Sequence, residues 1–233
     1  MIFENKLISG TFIKRYKRFF IDAKLNNKIV TAHCPNTGSM MGLLKKGSKV
    51  WLSKSNDPKR KLKYTTQVII NQNIKVGINT HLTNKLFEEA LVNNSIKYFK
   101  EKKTIIREKK FGSNTRFDFL VNEKNRKTFI EVKNVTLCRK NGIAEFPDAV
   151  TSRGAKHLEE LIFASQKGYK IFLAFVIQRE DCNKLLIAKD IDKNYYNLLT
   201  KALNFNLKVI CFDCKISPKG IKLNREIKFQ INE

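Results

Sequence analysis

Hydrophobic and polar residues alternate in short runs over residues 1–80. Side chains on a strand point alternately to opposite faces, so each run predicts a β-strand. The runs cover residues 2–12, 19–25, 29–32, 49–53 and 64–70. Turn-forming residues such as Asn26 and Asn27 separate them. Several short strands with almost no helix predict a small closed barrel, such as an OB-fold.

The spacing of the hydrophobic residues changes after residue 80. Leu82, Leu86 and Leu91 recur at helical spacing, and Thr80 or Thr83 is available as the N-cap of a helix. Further helices are predicted at residues 151–167 and 192–204, and strands at residues 104–109, 115–122, 128–136, 169–177, 207–214 and 226–231. This order predicts an α/β domain on a central sheet, with domains at residues 1–80 and 81–233.

The composition adds a strong positive charge to this picture. The chain has 46 Lys and Arg residues against 21 Asp and Glu residues, which gives a formal net charge of +25. Such a surplus attracts polyanions such as nucleic acids. No hydrophobic run approaches the roughly 20 residues of a membrane span, and the first residues lack the pattern of a signal peptide. We therefore expect a cytoplasmic protein that does not enter the membrane.

Basic residues concentrate in predicted loops and at the start of one helix. The candidates for binding nucleic acid are Lys14, Arg15, Tyr16, Lys17, Arg18, Lys59, Arg60, Lys61, Arg153 and Lys156. Residues 14–20 interleave cations with aromatic side chains, a combination that holds phosphates and stacks bases. A helix N-terminus is a natural contact for phosphate, which favours Arg153 and Lys156. The alternative for residues 14–20 is a solvated hairpin whose aromatic side chains fill the barrel core.

Asp118, Glu131 and Lys133 are the candidates for chemistry. Glu131 and Lys133 stand two residues apart on one predicted strand and therefore share a face. A turn at residues 122–126 would place the strand of Asp118 beside them in antiparallel orientation. Two carboxylates with a lysine beside them suit Mg²⁺ or Mn²⁺, which can promote phosphodiester hydrolysis. The alternative is a surface salt bridge, although the hydrophobic neighbours favour a central sheet, where unpaired charge is costly.

A further metal ligand could come from the helix before these strands, where Glu88 and Glu89 both stand. Either could equally be an ordinary solvent-facing glutamate, and His157 is a secondary candidate for the site. Among the five cysteines, only Cys211 and Cys214 have metal-like spacing. Because a structural zinc site needs four ligands and no second pair lies near them, free thiols are favoured over a metal site or a redox pair.

Several longer motifs occur in a fixed order along nearly the whole chain. They are C-P-N-T-G-S-M from Cys34, V-G-I-N-T from Val76, R-F-D-F-L from Arg116, I-E-V-K-N-V-T-L from Ile130 and F-P-D-A-V-T from Phe146. Together with Asn84 and Glu89, this set resembles the sugar fermentation stimulation protein A family of bacteria and archaea.

The resemblance implies an N-terminal OB-fold, a C-terminal PD-(D/E)xK nuclease-like α/β domain, and DNA binding with little sequence preference. It places Asp118, Glu131 and Lys133 at the nuclease motif positions, and it favours Glu89 over Glu88 as the helix glutamate that joins the metal site. It also implies a link to the regulation of sugar (maltose) metabolism genes.

Two functional hypotheses follow from these patterns. In the first, the chain is a DNA-binding protein and a metal-dependent endonuclease. In the second, it is a non-catalytic DNA-binding regulator whose acidic site is structural or binds metal for stability. RNA processing would use the same chemistry and stays open, as does a homodimer, because the sequence identifies neither a 2′-hydroxyl pocket nor a dimer interface.

Overall fold

The computed structural model describes residues 1–112 and 115–231. Its N-terminal strands are β1 (Ile8–Tyr16), β2 (Phe20–Leu25), β3 (Lys28–His33), β4 (Lys49–Lys54), β5 (Tyr64–Asn71) and β6 (Ile74–Gly77). They follow the order β3-β2-β1-β4-β5-β6, and parallel pairing between β3 and β5 closes the sheet into a barrel. Phe12, Ile21 and Ile69 are buried inside it. The small closed barrel predicted from the alternation is confirmed.

The basic and aromatic segment at residues 14–20 differs from the predicted loop. β1 continues through Tyr16, and β2 begins at Phe20, which is the cross-strand partner of Tyr16. Only a tight turn remains, in which Lys17 and Arg18 adopt left-handed backbone angles with φ of 47° and 59°. The segment is therefore a hairpin, and two of its aromatic rings stack on each other instead of filling the core; its role in binding stays a prediction. The ring centroids of Tyr16 and Phe20 are 5.4 Å apart.

A six-stranded mixed sheet with three helices forms the C-terminal part. Its strand order is β15-β14-β12-β9-β8-β7, and a smaller sheet has the order β10-β11-β13-β16. The elements are α1 (Thr83–Val92), β7 (Lys103–Phe111), β8 (Thr115–Glu123), β9 (Arg126–Val135), β10 (Leu137–Lys140), β11 (Ile143–Phe146), α2 (Ser152–Gln166), β12 (Lys170–Ile177), β13 (Lys184–Ile187), α3 (Lys193–Asn204), β14 (Lys208–Ser217), β15 (Gly220–Glu226) and β16 (Lys228–Gln230). None of the helices within the described residues is long and apolar enough to cross a bilayer.

Each face of the large sheet carries its own hydrophobic core. Phe129 and Leu173 pack with α2 and α3 on one face. Ile130 and Ala174, their neighbours along the same strands, pack with α1 on the other. The central strands are apolar on both faces because helices cover both, as in a parallel α/β arrangement. The predicted α/β domain on a central sheet is confirmed.

The alternation does not predict β6, β10, β11, β13 and β15. The first four of these strands are only four residues long, and β15 has seven residues. Four residues hold too few repeats for the period of a strand to stand out from the surrounding chain. Of the smaller sheet, only β16 falls within a predicted strand, the one at residues 226–231.

The predicted N-cap of α1 is wrong. Neither Thr80 nor Thr83 caps this helix, and the residue before it, Leu82, makes no side-chain capping bond. Thr80 instead donates its hydroxyl to the carbonyl of Pro35 at 2.7 Å, and Thr83 donates to Asn134 on β9 at 3.1 Å. These threonines anchor the start of α1 to the barrel and to the large sheet.

A buried amide network joins the barrel to the sheet. Gln178 donates to the side chain of Asn134 at 2.7 Å and to the carbonyl of Asn79 at 3.2 Å. Asn79 in turn donates to Gln67 of the barrel at 2.8 Å. Because buried amides need partners, this network fixes how β5 of the barrel lies against the ends of β9 and β12.

Candidate functional site

Asp118 and Glu131 lie where two neighbouring strands separate. β8 and β9 pair in antiparallel register from Glu123 opposite Arg126 to Phe119 opposite Ile130. In that register Asp118 would face Glu131 next, but the ladder stops before them. The Oδ2 atom of Asp118 instead accepts the backbone N–H of Val132 at 2.7 Å. A carboxylate thus occupies the gap between the strands, beside a second carboxylate.

Asp118 is held by two hydrogen bonds, one to each carboxylate oxygen. The second comes from Asn84 on α1, whose side-chain amide donates to Oδ1 at 2.7 Å. Burial, and after it the charge of Glu131, raises the pKa of Asp118 to about 6, although both hydrogen bonds act in the opposite direction. Near neutral pH this carboxylate is therefore ionised at a cost that a nearby cation would relieve.

Glu131 is buried, with one oxygen bonded and one left without a partner. Lys133 donates to Oε1 at 2.7 Å, and Nδ1 of His157 on α2 contacts the same oxygen. Burial alone would raise the pKa of Glu131, but the charge of Lys133 and the hydrogen bond from His157 hold it below its usual value. Oε2 is buried and has no hydrogen-bond partner among the described residues. An ionised oxygen is thus left free for another ligand.

Glu89, expected as a further metal ligand, does not join this cluster. Its carboxylate binds the N-terminal amine of Met1, and its side chain is 43% exposed. Asn84 and Glu88, four residues apart, share one face of α1, and Glu89 is rotated away from that face by the helical turn. Asn84 reaches Asp118, while Glu88 pairs with Arg107 on β7. The assignment of Glu89 as a ligand is therefore replaced by Asn84 as an orienting group.

The start of α2 brings exposed cations to the same part of the domain. Thr151 caps the helix by accepting the N–H of Gly154 at 3.0 Å. Asp192 accepts the backbone N–H of Thr151 at 2.8 Å and so fixes this end of α2 against the start of α3. Arg153 is exposed and stands one helical turn before His157, on the same face. Lys156 is exposed as well.

The basic residues of the barrel divide into structural and exposed ones. Arg15 donates to the carbonyls of Asn36 at 2.7 Å and Gly38 at 3.0 Å, so its guanidinium holds the loop after β3 rather than projecting into solvent. Arg60 donates to the hydroxyl of Thr65 at 2.8 Å. The remaining candidates of this group are exposed, with Lys14 and Tyr16 contacting Asp22; they are Lys14, Tyr16, Lys17, Arg18, Lys59 and Lys61.

The loop after β3 connects the barrel hairpin to the start of α2. Arg15 binds this loop from one side, and Asp148, in the segment before α2, binds it from the other. Asp148 accepts the N–H of Ser39 at 2.9 Å, and a side chain at Gly38 would collide with its carboxylate. This loop thus links the hairpin that carries the barrel cations to the segment that precedes α2.

In the part of the chain that the structure describes, the acidic site brings together two carboxylates, those of Asp118 and Glu131. Within the described residues, the one group of three or more His, Cys, Asp or Glu ligand atoms that could hold a metal is Cys138, Asp181 and Cys182. Mg²⁺ is usually held by one or two carboxylates, water and substrate phosphates rather than by a complete protein cage. The free oxygen of Glu131 and the raised pKa of Asp118 therefore fit a hard divalent cation.

Sequence reasoning missed two neighbours of this site. Asn84 stands out only as part of a family motif, because nothing local shows that its amide reaches another element. Tyr195 on α3 is fully buried, its hydroxyl has no partner among the described residues, and burial followed by the charge of Glu131 raises its pKa well above the usual value. Its nearness to Glu131 arises from helix packing, which no short pattern encodes.

Comparison with known proteins gives a consistent result along the whole chain. A sequence model described as the SfsA N-terminal OB domain matches residues 13–78, and one described as the sugar fermentation stimulation protein RE domain matches residues 81–220. The chain is 52% identical over 228 residues to the sugar fermentation stimulation protein homolog of Pelagibacter ubique, covering 98% of each chain.

Two further comparisons extend this similarity. The homolog from Agrobacterium fabrum is 42% identical over 230 residues, covering 98% of this chain and 96% of its own. Among solved structures, that of Pyrococcus furiosus SfsA in complex with Ca²⁺ superposes with a TM-score of 0.89 at 23% identity, covering 99% of this chain and 98% of the other. The likeness establishes the same two-part fold.

Proposed function

This chain belongs to the sugar fermentation stimulation protein family, and from that membership and its acidic site we propose that it binds DNA and hydrolyses DNA phosphodiester bonds with Mg²⁺ or Mn²⁺. One observation carries the catalytic part: Asp118 and Glu131 lie on neighbouring strands where β8 and β9 separate, close enough for the charge of Glu131 to help raise the pKa of Asp118, and Oε2 of Glu131 has no hydrogen-bond partner among the described residues. We take these two carboxylates, with Lys133, as the residues of a PD-(D/E)xK nuclease motif. We further propose that the barrel of residues 1–80 binds nucleic acid and that residues 81–233 form the nuclease-like domain.

Asp118 and Glu131 would hold the metal ion. Bound Mg²⁺ or Mn²⁺ acidifies a coordinated water and offsets charge that develops on the phosphate. The relative from Pyrococcus furiosus was solved in complex with Ca²⁺, another hard cation that takes oxygen ligands. Asn84 orients one of the two carboxylates, and His157 orients the other.

Lys133 has ammonium N–H donors that do not bind Glu131 and can contact the reacting groups. Its ammonium uses one N–H on Glu131 Oε1, and its side chain retains 13% exposure. An ammonium carries three N–H donors, so the others can orient the attacking water or contact a phosphate oxygen. The shared oxygen also keeps this ammonium next to the carboxylate that binds the metal. Lys133 would therefore lie between the carboxylates that would hold the metal and the attacking water.

We assign the phosphate backbone of DNA to the surface that runs from the barrel hairpin to the start of α2. Lys17, Lys59 and Lys61 are exposed on the barrel, and Arg153 is exposed on α2, one helical turn before His157, which contacts Glu131. Phosphate contacts carry no base information, so binding with little sequence preference follows. The exposed ring of Tyr16, stacked on Phe20, offers a face for an unpaired base.

We expect DNA affinity to fall steeply with salt and to depend on these lysines. Each lost phosphate contact should reduce the slope of log K against log salt by about 0.9 on duplex DNA. Lys17→Ala and Lys59→Ala should each weaken binding to several unrelated sequences equally, as measured by fluorescence anisotropy from low to high salt. Lys222→Ala is the matched control, because Lys222 is exposed and lies on β15, an edge strand of the large sheet that carries none of the proposed contacts. A flat salt response, or an equal effect of the control, would exclude this surface.

Cleavage is tested with pure full-length protein and supercoiled, single-stranded and branched DNA. We expect products with Mg²⁺ or Mn²⁺ and none with EDTA, read on denaturing gels. The same reactions on RNA of matching sequence test whether RNA, rather than DNA, is the substrate. Absence of cleavage on every substrate with either metal would overturn the catalytic proposal while leaving DNA binding intact.

One observation favours the alternative of a non-catalytic DNA-binding regulator of sugar metabolism genes. Lys133 and His157 already contact one oxygen of Glu131, so the buried charge of this carboxylate is partly balanced without a metal. A site kept for stability would retain such a pairing. In that case the protein would bind DNA with the salt dependence described above and would cleave none of it.

A further inference from the structure

Two cysteines that are far apart in the sequence meet beside the ends of the central strands. Cys138 lies on β10, and Cys182 lies in the segment between β12 and β13. Their Sγ atoms and a carboxylate oxygen of Asp181 lie within 4.8 Å of one another. Cys138 is partly exposed, whereas Cys182 is buried. A solvent-accessible thiol with a second thiol beside it is the arrangement found in redox-sensitive proteins.

The charges around the pair favour thiol chemistry over a metal ion. Arg179 is buried and donates to both oxygens of Asp181, at 2.9 and 2.7 Å. It also donates to the carbonyl of Thr136 at 2.9 Å, which fixes the guanidinium in place. A metal ion at this position would share its carboxylate with a buried cation and lie next to that cation. A thiolate, in contrast, gains from a positive charge nearby.

The two thiols are also unequal in acidity. The hydrogen bond from Cys182 lowers the pKa of Cys138 to about 7, with Arg179 supporting the shift and burial and the charge of Asp181 opposing it. The same hydrogen bond, together with burial, raises the pKa of Cys182. Burial raises the pKa of the remaining cysteines, Cys34, Cys211 and Cys214. Cys138 is therefore the strongest nucleophile among the five near neutral pH.

We propose that Cys138 and Cys182 form a peroxide-sensitive thiol pair that closes to a disulfide. The Cys138 thiolate attacks one oxygen of a hydroperoxide, the O–O bond breaks, and the sulfur is oxidised by two electrons to a sulfenic acid. The other oxygen leaves and is protonated to water or an alcohol. The Cys182 sulfur then attacks Cys138, the S–O bond breaks, and the departing hydroxide takes the proton of Cys182 and leaves as water.

The surrounding chain can accommodate the bond. A disulfide is about 2 Å long, so the sulfur atoms must approach each other by less than about 3 Å. Cys138 lies on a four-residue edge strand whose register shifts between Leu137 and Lys140. Cys182 belongs to no helix or strand. Neither cysteine therefore lies in a long stretch of strand pairing. Side-chain rotation with a small backbone shift can bring the two sulfur atoms to bonding distance.

The test uses the full-length protein after EDTA dialysis, treated with one to a few equivalents of hydrogen peroxide. Remaining thiols are blocked in denaturant, and peptides are analysed by mass spectrometry. We expect a linked peptide that contains Cys138 and Cys182 and is two hydrogens lighter than the reduced pair. Cys34, Cys211 and Cys214 serve as controls within the same molecule, and we expect them to react at least about tenfold more slowly.

Two variants separate the steps of the reaction. With Cys182→Ser, Cys138 should stop at the sulfenic acid and be trapped by dimedone, whereas with Cys138→Ser, Cys182 should stay reduced. If either variant fails to fold, the peptides of the unmodified protein decide alone. Oxidation of Cys138 no faster than Cys211, or absence of the linked peptide, would overturn the proposal. So would one equivalent of zinc that is retained from purification and protects both thiols from alkylation, since that result indicates a metal site.

Discussion

Replacing Asp118 with Asn is expected to reduce metal-dependent DNA cleavage by about 100-fold to 1000-fold, the size of effect seen when one preorganised electrostatic group is removed from an active site. The amide has nearly the same shape as the carboxylate but lacks its charge, so the site loses a metal ligand without losing volume. Single-turnover cleavage measured over a range of Mn²⁺ concentrations would show a lower rate and a higher half-saturating concentration.

The same variant should be more stable than the unmodified protein when no metal is present. The pKa of Asp118 is about 6 in the folded protein against a reference value of 3.8. The folded state therefore binds more protons than the unfolded state between these values, and stability falls as pH rises through this window. Ionising Asp118 in the folded protein therefore costs stability above pH 6, by at most about 3 kcal/mol. The Asp118→Asn variant carries a neutral amide and does not have this cost.

Unfolding by urea in EDTA at pH 8 and pH 4 measures this cost. We expect Asp118→Asn to be more stable at pH 8 by about 1–2 kcal/mol, with most of the difference gone at pH 4. Adding Mn²⁺ at pH 8 should stabilise the unmodified protein but not the variant. Glu159→Gln, an exposed change on α2, is the matched control. A variant that cleaves at the normal rate, or a stability difference that is equal at both pH values, would contradict the assignment.

Local patterns were sufficient for the part of the site that two adjacent strands build. Strict alternation places Glu131 and Lys133 on one face, and the structure brings them within 2.7 Å. The short turn after Glu123 sets an antiparallel register, and counting back along it brings Asp118 opposite Glu131. Neither step needs knowledge of distant elements, because pairing through a tight turn is a local property.

The helix that packs on this sheet could not be oriented in the same way. Glu88 and Glu89 are adjacent, and the apolar spacing of α1 does not say which polar position faces β8. That choice depends on how the helix is rotated against the sheet, which packing of Leu86 and Phe87 into the core decides. Asn84 then reaches Asp118, and Glu89 turns toward Met1. The same limit hid the contacts that Arg15 makes with Asn36 and Gly38, which follow it by more than twenty residues.

The cysteines show the limit of spacing as a signal. Cys211 and Cys214 stand three residues apart on β14, and a strand directs such residues to opposite faces. Cys211 is accordingly buried in the core that contains α2 and α3, and Cys214 in the core that contains α1. The pair that does meet, Cys138 and Cys182, is brought together by the smaller sheet. Cys138 lies on one of its four-residue strands, which is too short to leave a pattern in the sequence.

Replacing Lys133 with Met is expected to lower the rate of cleavage by about 100-fold or more, the usual contribution of a positioned proton donor or acceptor. The half-saturating concentration of Mn²⁺ should stay the same or fall, because the variant removes a cation that competes with the metal for Glu131. Methionine keeps the length and apolar contacts of the side chain. Single-turnover rates, Mn²⁺ titrations and DNA affinity measured on the same preparations separate turnover from binding.

Lys127→Met is the matched control, since Lys127 lies on the same strand and is exposed at its far end from the site. Lys133→Arg tests whether charge alone suffices; because a guanidinium has a different shape and donor geometry, we expect it to restore little of the rate. A purely structural lysine would instead show full cleavage by Lys133→Arg and a loss of stability in Lys133→Met that parallels its loss of activity. Normal turnover by Lys133→Met would remove this ammonium from the mechanism, and the carboxylates would then have to activate the water through the metal ion alone.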